Sequence, residues 1–341
     1  MNKHTICFVA GKSGGHIIPC LHIAQQYKKQ HKAEILFFST TASLDISILS
    51  HSNIVSRHIA LPLRSIISKT WWGYTQVVWD VLISCIVSIK TLYTCRPATI
   101  ITTGGAVAIP VCLAGFIFRI PITLYYLDVE PGRSLKFLRR LATTHYVCFK
   151  KTALMIPNAE YIPYPLKYNQ QDRIAQRNAQ QLLHIPSHVY TIVILGGSQG
   201  SVFLNQCIKN YVISHFFHNN RIHIIHQTGS HDATDWNMFY KENNVHAHIF
   251  TYQDNLSHFY SVADLIICRG GAGTLFEVKF FKKRCIIIPL VTSTTDHQIA
   301  NAIAFTEENP LLYTWLAEYT IRDNPQLFFS LIQHNISQKN L

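Results

Sequence analysis

Arg269-Gly270-Gly271-Ala272-Gly273-Thr274 lies between an apolar run, Leu265 to Cys268, and a helical pattern with Leu275, Val278 and Phe281 on one face. A glycine turn between the end of a buried strand and the start of a helix lets backbone N–H groups come close to a ligand. Those groups and the helix dipole favour an anion, typically phosphate. Glu277 sits one turn into the helix, where its carboxylate can accept two hydrogen bonds from a ribose diol. A second apolar run, Cys285 to Pro289, leads to the polar loop Thr292 to Asp296, which reads as the N-cap of a helix carrying His297, Gln298 and Asn301. Phosphate cradle, diol acceptor and a second polar helix start in one short stretch describe a nucleotide site.

Other turns repeat the theme. Gly11-Lys12-Ser13-Gly14-Gly15-His16 follows the apolar run His4 to Ala10, and Gly196-Gly197-Ser198-Gln199-Gly200-Ser201 follows Thr191 to Leu195. Thr103-Gly104-Gly105 ends the run Ala98 to Thr102, and His226-Gln227-Thr228-Gly229 ends Ile222 to Ile225. Alone, such a turn marks only a tight connection in many doubly wound folds. His16 has the chemistry of a general base, although a histidine beside glycines is more often merely exposed.

The elements that must position these turns are short strands alternating with helices. Ile35 to Ser39, Ile122 to Leu127 and His145 to Phe149 complete the first half, and His248 to Tyr252 joins the second. That order predicts an α/β chain of two Rossmann-like domains, with parallel sheets facing across a cleft. Pro157 to Arg177, rich in proline, tyrosine and polar residues, reads as the connection, giving domains 1–160 and 161–341.

Trp71 to Tyr93 approaches the length of a membrane span. Asp80 near its middle and Lys90 weigh against a span and for a core helix with an exposed apolar edge. Trp71, Trp72, Arg64 and Lys69 suit a helix end dipping into an anionic membrane surface, with plain core packing as the alternative for the aromatics. The chain of 341 residues is 48% hydrophobic and carries a net charge of +12, which points to an anionic partner. No basic helix with interleaved aromatics reads as a nucleic-acid arm. The membrane surface and a phosphorylated substrate rank higher, and no nucleic-acid partner is expected. Nine scattered cysteines without a CxxC fit buried free thiols in a reducing cytoplasm, and the N-terminal apolar segment is too short for a signal peptide.

GKSGGHIIPCLHIA, LGGSQGSVFLNQ, HQTG, and CRGGAGTLFEV followed by DHQIANA resemble, in the same order and spacing, the motifs of the MurG family. The resemblance runs from about residue 4 to 305 and implies a GT-B fold. It also implies transfer of N-acetylglucosamine from UDP-GlcNAc to undecaprenyl-pyrophosphoryl-muramyl-pentapeptide, at the cytoplasmic face of the inner membrane.

Carried over by motif, the resemblance places Gly197, Ser198 and Gln199 against the sugar and diphosphate, and Gly271, Ala272, Gly273 and Thr274 at the diphosphate. Glu277 falls at the ribose, Gln298 near the sugar hydroxyls, and Tyr252 and Gln253 at the uracil. Lys167 stands where the family has an arginine, and Gly273 where it has a larger residue. Ser13, Gly14, Gly15 and His16 keep the first turn, while Lys12 replaces a glycine. Gly104, Gly105 and Asp128 are the acceptor candidates. Ala106, Ala108, Tyr125, Tyr126, Leu127, Asp128 and Leu135 all depart from the family's pattern on that side.

The implied mechanism is inverting displacement, with His16 as general base, Asp128 as a weaker candidate, and the diphosphate stabilised by the helix after Gly271. No Asp-x-Asp pair occurs, so neither an essential metal nor a cofactor is expected. Two alternatives stay open: a GT-B transferase with another lipid acceptor, and a non-catalytic UDP-sugar-binding scaffold.

Overall fold

The computed structural model describes residues 5–11, 14–63, 71–197, 199–215, 221–291 and 297–338, with backbone alone for 71–74. Lys12, Ser13, Arg64, Lys69, Ser198 and the loop 292–296 lie outside the described residues, as do the side chains of Trp71 and Trp72. The chain divides into two units, Met1–Lys167 and Tyr168–Leu341.

The first domain runs β1 (Thr5–Val9), α1 (Gly14–His31), β2 (Glu34–Thr40), α2 (Ser43–Ser50), β3 (Arg57–Leu61), α3 (Trp71–Cys95) and β4 (Ile100–Thr102). It continues with α4 (Ala108–Ile117), β5 (Ile122–Tyr126), α5 (Arg133–Leu138), β6 (Thr144–Val147), α6 (Lys150–Met155) and β7 (Glu160–Tyr161). Its sheet is parallel throughout, ordered β3-β2-β1-β4-β5-β6-β7. Strand order reverses between β1 and β4, and both of these strands end in glycine turns. Ligands of open parallel sheets gather at such a switch point. The inner strands read as unbroken apolar runs because helices cover both faces, and β5 is buried along its whole length.

The second domain runs α7 (Gln176–Leu182), β8 (Tyr190–Leu195), α8 (Val202–Ser214), β9 (Ile222–Gln227), α9 (Trp236–Glu242), β10 (His246–Phe250) and α10 (Ser257–Val262). Then follow β11 (Leu265–Cys268), α11 (Ala272–Phe281), β12 (Arg284–Ile287), α12 (His297–Glu308), β13 (Tyr313–Trp315), α13 (Glu318–Asp323) and α14 (Pro325–Ser337). This sheet is also parallel, ordered β10-β9-β8-β11-β12-β13, with its switch between β8 and β11.

Strand pairing and core packing place the chain's segments in the two units. The boundary falls after Lys167 rather than residue 160, because Glu160 and Tyr161 pair with β6, and Ile162 N–H donates to Val147 O. The last helix belongs to the second domain: Phe328, Phe329 and Ile332 of α14 enter that core, and Tyr190 Oη donates to Asn335 O.

Helix α3 carries its polarity inside out. Asp80, Ser84, Ser88 and Thr91 are buried, with Ser84 Oγ donating to Asp80 O and Ser88 Oγ to Ser84 O. Val78, Trp79, Leu82, Ile86 and Tyr93 face outward, Trp79 and Ile86 each 65% exposed. Leu92 and Val87 join the domain core, so α3 is a domain helix with an exposed apolar edge. All nine cysteines are free, and all but Cys85 and Cys95 are buried.

Candidate functional site

In the first domain, threonines at the end of β4 tie two glycine turns together. Thr102 Oγ1 donates to Val9 O at 2.7 Å and accepts from Gly104 N–H, while Thr103 Oγ1 donates to His16 O at 3.0 Å. Gly105 N–H donates to Ser134 Oγ on α5. Gly104 and Gly105 have φ of +107° and +89°, and a Cβ on Gly105 would lie 3.1 Å from Gly11 O. A side chain at Gly105 would therefore separate the turns. Gly14, Gly15 and His16 form the first turn of α1, so His16 is brought to Gly104 and Gly105 through Thr103. Asp128 follows β5: its backbone carbonyl accepts from Thr152 Oγ1 of α6, and burial, then the Asp128 charge, push the Cys148 thiol up to about 12. Tyr125 and Tyr126 are core residues. Tyr125 packs on Tyr146, and Tyr126 Oη bonds His145 Nδ1.

In the second domain, Gly271 caps α11 with no side-chain hydrogen bond, and no acidic residue occupies the first turn. The first intrahelical bond there runs from Leu275 N–H to Gly271 O, which leaves the N–H groups of Ala272, Gly273 and Thr274 without helical acceptors. Among the described residues, a Cβ on Gly271 would meet nothing within 4 Å. Ten residues of helix stand behind these donors, an arrangement suited to a diphosphate.

Glu277, on the same helix, accepts from Tyr260 Oη at 2.6 Å. Tyr260 is 1% exposed; burial first, then Glu277, hold its phenol protonated, so it donates. Tyr168 and Phe281 pack around Tyr260. Gln298 Oε1 accepts from both Gly270 N–H, at 3.1 Å, and Leu290 N–H, at 2.8 Å. Two backbone donors fix the orientation of its amide, and the group left for a ligand is the Nε2 donor. Asn301 Nδ2 donates to Gly270 O, and a Cβ on Gly270 would strike Gln298 O at 2.5 Å, so α12 is docked directly on the turn.

The turns after β8 and β9 touch backbone to backbone. Gly200 and Gly229, both with φ of +78°, approach until a Cβ on Gly200 would lie 2.5 Å from Gly229 Cα. A Cβ on Gly197, at φ +90°, would meet nothing within 4 Å among the described residues, and Gln199 is exposed. Under these loops His226 is fully buried between Tyr240 Oη at 2.9 Å and Asn205 Oδ1 at 3.1 Å, and Asn205 Nδ2 reaches Thr228 O and Asp232 Oδ2. Burial drives the His226 pKa down to about 3, partly opposed by Asp232. Tyr252 and Gln253 are exposed after β10, the Gln253 amide donating to Asn255 O, and Lys167 is half-buried where the first domain ends.

Arg269 is the largest addition to the residues singled out from sequence. It is 8% exposed and donates to Ser201 Oγ and Glu318 Oε1, each at 2.6 Å, and to Ile288 O. Ser201 in turn caps α8 by accepting from Leu204 N–H. One guanidinium therefore joins the turns after β8 and β11. A cation directly behind four apolar strand residues was the available signal.

The N-terminal domain model of glycosyltransferase family 28 matches residues 6–147, and the C-terminal domain model matches residues 191–323. A relative from Protochlamydia amoebophila (strain UWE25), a UDP-N-acetylglucosamine–N-acetylmuramyl-(pentapeptide) pyrophosphoryl-undecaprenol N-acetylglucosamine transferase, is 30% identical over 306 residues, 87% of this chain and 79% of its own. The chain belongs to this family of transferases. A family member of the same description from Myxococcus xanthus (strain DK1622) is 24% identical, covering 92% of this chain and 81% of its own. The crystal structure of Acinetobacter baumannii MurG shares the fold of this family member, with a TM-score of 0.77 at 22% identity over 98% of this chain and 91% of that one. The GT-B class expected from the motifs is therefore the fold, with a parallel α/β domain in each half.

Proposed function

We propose that this chain transfers N-acetylglucosamine from UDP-GlcNAc to undecaprenyl-pyrophosphoryl-N-acetylmuramyl-pentapeptide, the lipid I to lipid II step of peptidoglycan synthesis. Membership of the family supports the reaction. The observation that carries the donor side is the start of α11, which no side chain caps among the described residues, with Glu277 braced on the same helix. The second domain is assigned the UDP-sugar, and the first the acceptor and the membrane.

Transfer is read as inverting and metal-independent. The acceptor hydroxyl attacks the anomeric carbon as the bond to the UDP oxygen breaks. His16 takes the hydroxyl proton, and the N–H groups of Ala272 to Thr274 receive the growing diphosphate charge. Gln298 can only donate, so its sugar partner is an acceptor oxygen. Glu277 accepts from the ribose hydroxyls with the lone pairs Tyr260 leaves. Ser13 and Ser198 keep their place in the two glycine loops, as do Gly14, Gly15, Gly197 and Gln199; Tyr252, Gln253 and Lys167 are assigned to the uracil.

The exposed edge of α3, with Phe116 and Ile117 of α4, forms an apolar patch of the kind that marks a membrane or protein contact. On a chain of net charge +12, it is assigned to an anionic membrane surface at the cytoplasmic face, as a peripheral contact without nucleic acid. A second reading, a different lipid acceptor, is favoured by the buried Tyr125 and Tyr126, which stand where the resemblance departs from the family's pattern.

The test is transfer of labelled N-acetylglucosamine to a short-chain analogue of the muramyl-pentapeptide lipid with EDTA present. Product supports donor, acceptor and metal independence together. Saturable UDP binding without product on this lipid, but with turnover on diacylglycerol, would select the second reading.

A further inference from the structure

Two parts of the second domain are assigned to the nucleoside: the loop with Tyr252 and Gln253 to the uracil, and Glu277 on α11 to the ribose. One buried side chain outside both assignments touches the supports of each. Tyr168 is the first residue of the second domain, directly after Lys167, and is 8% exposed. Its Oη accepts from Leu256 N–H at 3.0 Å, a bond between residues 88 apart in the chain. Leu256 is the N-cap of α10, so this bond pins the loop where it enters the helix. Within the loop, the Gln253 amide donates to Asn255 O, and Asn255 Oδ1 accepts from Ser257 N–H at 2.9 Å. The uracil loop is thereby tied to α10 and, through Tyr168, to the chain directly after Lys167.

The ring of Tyr168 reaches the ribose side. It stands edge-on to Tyr260, with centroids 6.1 Å apart at 76°, and edge-on to Phe281 at 5.2 Å and 79°. Tyr260 and Phe281 are stacked at 5.0 Å and 15°. Tyr260 is therefore held by two rings while its Oη donates to Glu277 at 2.6 Å. Burial first, then the Glu277 charge, raise the Tyr168 phenol well above its ordinary range, so the carboxylate is near enough to be felt. Ring packing alone would be served by phenylalanine. The buried hydroxyl adds a bond to the backbone of the loop, which packing does not require.

We propose that Tyr168 is a positioning residue for nucleotide selectivity: its hydroxyl fixes the uracil loop, and its ring fixes the Tyr260–Glu277 pair. Base and ribose are then read by parts held in one register. The inference rests on the donor site of the proposed function and adds a residue that acts through Leu256 and Tyr260.

The test is Tyr168→Phe in the full chain, which keeps the ring and removes the bond to Leu256. UDP and CDP are titrated calorimetrically, and inorganic pyrophosphate is measured by displacement of UDP. UDP should bind about fivefold more weakly, the effect of one lost hydrogen bond, with CDP and pyrophosphate unaltered. The preference for UDP over CDP then falls by the same factor. With UDP-GlcNAc as donor, KM should rise about fivefold at unchanged kcat. Tyr168→Leu, which also removes the ring, should in addition narrow the preference for UDP over 2′,3′-dideoxy-UDP, which Tyr168→Phe retains. A wild-type UDP-to-CDP ratio in Tyr168→Phe, or an equal loss for UDP, CDP and pyrophosphate, would overturn the proposal. A wild-type chain that binds UDP no better than CDP would instead remove the uracil assignment beneath it, before any variant is compared.

Discussion

At the scale of single residues, the proposed donor site includes a carboxylate whose freedom is restricted from behind. Tyr260 donates to one oxygen of Glu277, so that oxygen is oriented before any ligand arrives. Glu277→Ala should weaken UDP binding by roughly 1.5–3 kcal/mol, the worth of charge-assisted hydrogen bonds, while 2′,3′-dideoxy-UDP loses little. Tyr260→Phe should cost about 1 kcal/mol in the same titration and narrow the preference for UDP over its dideoxy analogue. An unchanged preference would leave Tyr260 a packing residue. His16→Ala should lower kcat with UDP affinity intact; a parallel loss of affinity would remove it as base. The place of Glu277 on α11 was legible because a carboxylate one helical turn beyond a glycine turn is a local pattern. Tyr260 was not, since its phenol comes from another helix 17 residues earlier and its partner depends on how α10 and α11 pack.

At the scale of elements, the loops after β8 and β9 are held by glycine against glycine. Gly200→Ala must place a methyl on Gly229 at a left-handed φ, so about 1–3 kcal/mol of stability should be lost. Thermal unfolding measures that cost. UDP titration of the folded fraction should show weaker binding as well, because Gln199 moves with the loop. The inner strands of both sheets were readable because burial on two faces writes them as continuous apolar runs. β3, β7 and β13 escaped notice. They lie at or near sheet edges, are 5, 2 and 3 residues long, and mix polar with apolar side chains. The long apolar stretch of α3 was ambiguous in sequence for a physical reason. Burying Asp80, Ser84 and Ser88 while exposing Trp79 and Ile86 reverses the pattern by which a core helix is recognised.

At the scale of the whole molecule, stability should depend on pH through histidines that fold neutral. Burial lowers His226 to about 3 and, with His246 and His248 nearby, His223 to about 4, against 6.5 for a free side chain. The unfolded chain binds protons below pH 6.5 that the folded chain refuses, so stability rises with pH through that window and falls as the solution is acidified. For His226 the loss between pH 7.5 and 5.5 is roughly 1 kcal/mol. It should appear as a lower melting temperature at pH 5.5, with a shallower dependence in the isosteric His226→Gln variant. A melting temperature independent of pH over this range would mean that His226 is protonated in place. The two domains have separate cores, so the histidine effect belongs to the second domain.

Because both sheets are parallel throughout, no two neighbouring strands can meet through a hairpin. The bond from Thr102 to Val9 spans 93 residues, and the one from Thr191 to Asp264 spans 73. Each centre therefore closes only after a long excursion of chain has been confined, which slows acquisition of native structure. During synthesis, α3 leaves the ribosome before β4, the strand that completes the middle of its sheet. For that interval Trp79 and Ile86 belong to a nascent chain with no finished domain behind them, a state prone to self-association. Refolding from denaturant should accordingly be slow, with a yield that falls as protein concentration rises.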